Sequence, residues 1–239
     1  MYAALRSEST KFCSYGWSVL GVVGAIIIPL LYLLTSDEPR IGGEEVVLSL
    51  CLQALYLGHP GIIVASSGYF GQEYSHSALR TTLLTQPSRL KILGAKFAAI
   101  AAIVLLTGIV SSVLSLSVLA AQQNIEWSGA FLARLVESLA LSLLSWILLA
   151  WITSAVSFLT QSLIAPIAIM LPLVLGLSHM LLSLSQLAQF LPTLATMNLF
   201  LLTTETIYLD KWQGLAVQLC WTVVLVTISS WLFAYRNVR

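Results

Sequence analysis

Residues 17–35 read WSVLGVVGAIIIPLLYLLT, a run without a single charged side chain. A helix rises about 1.5 Å per residue, so a run of this length crosses a hydrocarbon core of about 30 Å. Hydrocarbon offers no partner to a backbone N–H or C=O, and only a helix or a closed barrel keeps both satisfied there. The run lacks the period-two alternation of a barrel strand. Similar runs occur at about 46–67, 92–121, 131–158, 163–184 and 214–235, giving six expected transmembrane helices. The third and fourth are longer than a span needs and are expected to tilt or to extend beyond the bilayer.

Composition agrees with this reading. Of 239 residues 58% are hydrophobic and 9% charged, where soluble domains carry roughly a quarter charged residues. The mean hydropathy is +0.92. No long soluble stretch leaves room for an ATPase, sensor or receptor domain, so energy or signal is expected from a partner. Residues 1–18 carry Arg6, Glu8 and Lys11 where a signal peptide needs an apolar core, so the first span is expected to stay in the mature protein. Cys13, Cys51 and Cys220 are odd in number and far apart, which fits small apolar residues better than a disulfide framework or a zinc site.

Charge placement sets the expected orientation. With both termini inside, the inner segments hold Arg6, Lys11, Arg80, Arg89, Lys91, Lys96, Arg236 and Arg239, eight of the eleven basic residues. Arg40, Arg134 and Lys211 fall outside. Among the acidic residues Asp37, Glu38, Glu44, Glu45, Glu126, Glu137, Glu205 and Asp210 fall outside, and only Glu8 and Glu73 inside. The expected location is the cell membrane, with cytoplasmic N- and C-termini. Residues 1–16 mix Leu5, Phe12 and tyrosines with Arg6, Glu8 and Lys11, as a helix lying in the inner interface does.

Several spans carry breakers. Pro29, the His59-Pro60-Gly61 triplet, Pro166 and Pro172 mark candidate kinks, because proline removes a backbone donor and crowds the preceding turn. Residues 185–212 are too apolar for a solvated loop and too interrupted by Pro192, Asn198 and Glu205 for a seventh span. They are expected to form an outer re-entrant segment between spans five and six.

Chemistry-bearing motifs are missing. There is no GxxxxGK[ST] stretch, no Gx[ST]xG elbow and no HExxH pair, and no catalytic residue, metal site or cofactor is assigned to this chain. His59 has no acidic residue or second histidine at ligand spacing, so it reads as a polar residue packed at a kink. Ser66-Ser67, Ser111-Ser112 and Ser229-Ser230 read as small residues that let helices approach and bond across or back to their own carbonyls. Arg134 and Glu137 lie three apart and can pair along one helical face. The deep parts of the spans carry no Asp, Glu, Lys or Arg, which disfavours an ion-coupled pathway and suits an amphipathic or apolar cargo.

The longest polar interval is GYFGQEYSHSALRTTLLTQPSRLKILGAK, residues 68–96. Leu79 and Leu83 lie four apart, on one face of a helix that Pro87 would stop. Gly71, Glu73, Leu79-Arg80-Thr81-Thr82-Leu83-Leu84, Pro87-Ser88-Arg89 and Lys96 succeed one another in an order that resembles the first cytoplasmic loop of ABC-2 type transporter permeases of the small six-span kind. Leu5-Arg6-Ser7-Glu8-Ser9-Thr10-Lys11 is similar to the N-terminal motif of that family, and Leu191-Pro192-Thr193 to its outer re-entrant region. Ser75, His76 and Ser77 depart from the glycine and basic residues that many relatives have there.

The resemblance implies one transmembrane domain over residues 1–239, with a cytoplasmic coupling loop at 68–91. It implies that Ser77–Gln86 form a coupling helix seated in a groove of a separate ABC ATPase, with two ATPase copies and a second permease, identical or homologous, completing the complex. Leu79 and Leu83 would fill the groove, Arg80 and Arg89 would meet carboxylates at its rim, Pro87 would end the helix and Glu73 would brace the loop. ATP and Mg would sit on the partner ATPase, and the complex would export a drug, peptide or lipid-like substrate. Membrane lipids are the other expected contact, and nucleic acid is not a partner. A membrane scaffold or immunity protein using the same loop is the rival reading, and a secondary transporter is disfavoured by the missing buried charges.

Overall fold

Small residues decide which side of the first helix turns inward. In α1 (Gly16–Thr35) the buried positions are Ser18, Gly21, Ala25, Pro29 and Leu33, three or four apart on one face. Leu20, Val23, Ile27, Leu31 and Leu34 are exposed on the other. This inverts the pattern of a water-soluble helix, and it suits lipid, where close backbone approach takes the place of hydrophobic burial as the force between helices.

The computed structural model describes residues 10–36, 43–72, 89–122, 127–202 and 209–235, without the side chains of 89–91 and 234–235. The second span is α2 (Glu44–Leu57) and α3 (His59–Gly71), separated at Gly58, and the third is α4 (Arg89–Gln122). The fourth is α5 (Gly129–Thr160). The fifth joins α6 (Ile164–Pro172) to α7 (Ser178–Leu184) through a wide turn at Leu173–Leu177. A short tight helix at Gln186–Phe190 and α8 (Met197–Leu201) precede the sixth span, α9 (Lys211–Tyr235). Six helical stretches are long and apolar enough to cross a membrane, and no strand occurs among the described residues. The chain is an all-helical, multi-pass membrane protein. Span two is the most buried of the six, and spans five and six are the least.

Spans one and two touch backbone to backbone. A Cβ on Gly21 would meet Gly61 O at 2.6 Å and Ala65 Cα at 2.7 Å, and one on Gly61 would meet Gly21 O at 2.6 Å and Ala25 Cα at 2.7 Å. The contact is reciprocal because Gly21 and Ala25 lie one turn apart, as do Gly61 and Ala65, on antiparallel helices. Tyr32 Oη donates to Gln53 Oε1 at 2.9 Å farther along the same pair.

The prolines behave unequally. Pro29 cannot donate to Ala25 O, four residues back, yet α1 runs through it unbroken. Ser111 Oγ of span three donates to that carbonyl at 3.3 Å, while Ser112 Oγ bonds back to Gly108 O at 2.7 Å. Ser111 and Ser112 thus show the expected use, across and back, and Ser229 and Ser230 bond back to Val226 O, whereas the buried Ser66 and Ser67 hydroxyls make no hydrogen bond among the described residues and serve only as small packing residues. Span two is interrupted at Gly58, directly before Pro60. In span five the non-helical residue is Gly176, four positions after Pro172, with φ +138° and ψ −14°. That conformation belongs to glycine, and open space surrounds its α-carbon, so the backbone and not packing requires glycine there.

One end of the bundle collects the described acidic side chains. Ser128 caps α5 by accepting from Phe131 N at 3.2 Å and donates to Glu44 Oε1 at 2.6 Å. Arg134 Nη2 lies 3.5 Å from Glu45 Oε1, and Lys211 Nζ lies 2.7 Å from Glu137 Oε1. The intrahelical Arg134–Glu137 pair allowed by sequence spacing is replaced by two bridges between spans. Carboxylates on other helices come within reach of both long basic side chains, and the two bridges between spans satisfy four charges where the local pair would satisfy two. All four side chains are 42% exposed or more, so each bridge contributes less than about 1 kcal/mol.

Replacing Gly21 or Gly61 with Val should force the first two spans apart and cost about 3 kcal/mol, read as a large drop in the thermal midpoint of the detergent-solubilised protein. Gly94→Ala, inside α4 at a position with open space around it, should leave the midpoint no lower and raise it slightly through helix propensity. Ser111→Ala should cost about 1 kcal/mol by leaving Ala25 O unpaired, and an unchanged midpoint would show that carbonyl to be satisfied in another way.

Candidate coupling site

The loop singled out in the sequence leaves span two after Gln72 and re-enters span three at Arg89. Glu73, Leu79, Arg80, Leu83 and Pro87 lie outside the described residues, and of Arg89 only the backbone, at the start of α4, is described. Residues 10–14 are helical, and the remainder of the expected interfacial helix also lies outside the described residues. The structure does describe the two roots of the loop and the contacts that hold them.

Both roots are fixed in one aromatic cluster around a lysine. Lys96 is 1% exposed, and its ammonium lies 4.5 Å from the centroid of the Tyr69 ring and 5.7 Å from that of Phe70. Ring faces carry the negative lobe of the quadrupole and take over part of the stabilisation that water would give the cation. Phe12, from the helical turn preceding span one, packs on Tyr69 with centroids 5.5 Å apart. Phe70 meets Phe97 at 5.3 Å and Phe158 at 5.1 Å, and Phe158 meets Phe233 at 5.4 Å. Trp151 Nε1 donates to Phe97 O at 3.0 Å. The residues at the loop's roots thus touch the chain before span one and the same ends of spans four and six.

Gly71 closes the arrangement. A Cβ there would meet Leu163 Cα and Cβ at 2.6 Å, so the last turn of span two lies directly against the start of span five. That start is capped by Ser162 Oγ, which accepts from Ile164 N at 3.1 Å and Ala165 N at 3.3 Å. Gln72 Nε2 donates to Tyr69 O at 3.1 Å and finishes α3.

Sequence reasoning counts Lys96 with the basic charge of the loop and finds no ionisable group in the deep parts of the spans. The structure adds that Lys96, at the opening of span three, is enclosed by the bundle. Its helical position, one turn into the apolar run of α4 and facing a Tyr-Phe pair across the loop, is the signal that the sequence offers for it. The GxxxA spacing of Gly21 with Ala25 and of Gly61 with Ala65 is a second signal, for the close contact of spans one and two. His59 lies where expected, 3% exposed at the break in span two, with Nδ1 2.6 Å from Tyr56 O and no group of three metal-binding side chains among the described residues.

Lys96→Met keeps the aliphatic stem and should cost at least about 1 kcal/mol, the value of the cation–ring contacts alone. Lys96→Glu aims a buried anion at the negative ring faces and should cost about 3 kcal/mol or more. Thermal unfolding of the two variants side by side checks the order, and equal loss in both would show that the charge is not what the rings stabilise.

A family model described as ABC-2 family transporter protein matches residues 4–178, a stretch that takes in the loop, the first four spans and most of the fifth. Searches of curated proteins and of solved structures gave no match. The match extends over well more than half of the 239 residues and includes every element that roots the loop except the sixth span. The chain is a member of the ABC-2 transporter family.

Proposed function

We propose that the chain is the permease subunit of an ATP-driven exporter in the cell membrane, and that the coupling loop, residues 68–91, carries its contact with a separate ABC ATPase. Family membership supports this, and the single structural observation that carries it is the joint anchoring of the loop's two roots in the Lys96 cluster. A helix pressed by an ATPase transmits force only if its ends are fixed to the parts that must move. Here the roots connect spans two and three directly and spans four and six through Phe158 and Phe233.

In this reading Leu79 and Leu83 fill an apolar groove on the ATPase, and Arg80 and Arg89 pair with carboxylates at its edge. Pro87 ends the helix, and Glu73 braces the loop. ATP and Mg belong to the partner, present in two copies, and a second permease completes the pathway. The basic loop faces the cytoplasm together with both termini. Residues 1–16 lie along the inner interface, and residues 185–212 re-enter from the outer side. Spans whose deep parts carry no Asp, Glu, Lys or Arg suit an amphipathic or apolar cargo more than an inorganic ion.

Co-purification tests the proposal. The wild-type chain should retain an ABC ATPase through detergent extraction. Glu73→Lys or Arg89→Glu should weaken that retention by about 2 kcal/mol, roughly thirtyfold in affinity, through loss of a charge pair at the contact. A wild-type chain that retains no ATPase, or cargo movement that persists with an ATPase unable to hydrolyse ATP, would overturn it in favour of a scaffold.

A further inference from the structure

We propose that Tyr56 joins the interruptions of spans two and five into a single hinge in the middle of the bundle, closed by Phe200 of α8. Pro60 cannot donate to Tyr56 O, the carbonyl four residues before it, and the His59 Nδ1 atom 2.6 Å away fills that place as a donor. In span five, at the wide turn Leu173–Leu177 with its non-helical Gly176, two carbonyls take side-chain donors. Leu173 O accepts from Ser178 Oγ at 2.7 Å, and Val174 O accepts from Tyr56 Oη at 3.1 Å. Tyr56 therefore serves both breaks, its carbonyl in the first and its hydroxyl in the second.

Phe200 covers the junction. It is fully buried, with its ring 4.8 Å from His59 and 5.8 Å from Tyr56, while the Tyr56 and His59 rings are 5.0 Å apart. A helix bends most readily where its i to i−4 ladder is interrupted, and here two interruptions lie side by side under one aromatic lid. With one side chain bonded into both, bending one span at its break pulls on the other. Thr193 Oγ1, 2.8 Å from Ser178 Oγ, ties the 191–196 turn to the same place. In the proposed exporter the hinge would let the halves of spans two and five beyond their breaks move as a unit. Its use there rests on the transport reading, whereas its existence does not.

Amide exchange of the permease alone, in lipid nanodiscs, tests the hinge without any ATPase. Tyr56→Phe removes only the hydroxyl and should speed exchange about tenfold, the worth of one hydrogen bond, at residues 175–178. The deciding observation is that residues 58–63 and 197–201 speed up too, while residues 112–120 of span three stay unchanged. Phe200→Leu, which leaves the hydroxyl bond in place, should loosen the same three segments. Acceleration confined to 175–178 in the first variant, or to 197–201 in the second, would overturn the proposal and leave Tyr56 as a local cap. Failure to retain an ATPase would sink the functional reading alone, since the exchange experiment does not involve one.

Discussion

A carbonyl freed inside a membrane has no water to turn to, and much of this bundle is built around that constraint. At or beside the breaks four main-chain carbonyls receive side-chain donors: Ala25 O from Ser111, Tyr56 O from His59, Leu173 O from Ser178 and Val174 O from Tyr56. Each bond is worth only about 1 kcal/mol, but each has a direction, which apolar contact lacks. Ser111 fixes the height of span three against span one, and Tyr56 fixes span two against span five. The breakers that weaken individual helices thereby specify how the helices are registered.

Charge is handled differently at the two ends of the bundle. At the acidic end the bridges Arg134–Glu45 and Lys211–Glu137 are solvent-accessible and contribute little, so they favour a register more than they hold it. At the other end Lys96 is withdrawn among aromatic rings and is far more costly to disturb. A buried cation is poor material for stability and good material for specificity, because few arrangements of the surrounding rings satisfy it. The rings come from the turn before span one and from spans two, three, four and six, so their agreement on one place requires the bundle to be assembled.

The six spans were legible in the sequence to within four residues at every boundary, because a long charge-free run in lipid has one solution. The outcome at each proline was not. Pro29 and Pro172 look alike locally, yet whether the helix continues or breaks depends on Ser111, more than eighty residues after Pro29, and on a glycine one turn beyond Pro172. Pairing of Arg134 with Glu137 was allowed by helical spacing, and carboxylates on other spans prevailed. Of the candidate site, the order of residues between Gly71 and Lys96 carried the family, which the family match bears out. The burial of Lys96 was hidden because it is made by side chains from distant parts of the chain.

The Gly21–Gly61 contact has a mechanical consequence. Where two helices meet through large side chains, rotamer changes absorb small displacements, as foam takes up a push. Spans one and two meet through main-chain atoms with no side chain between them, and Tyr32 pins them again toward the acidic end. From Gly71 to the break at Gly58 the pair therefore behaves as a two-rod beam. Whatever moves Tyr69 and Gly71 at the tip moves Ser18 and Gly21 with them, with little lost along the way.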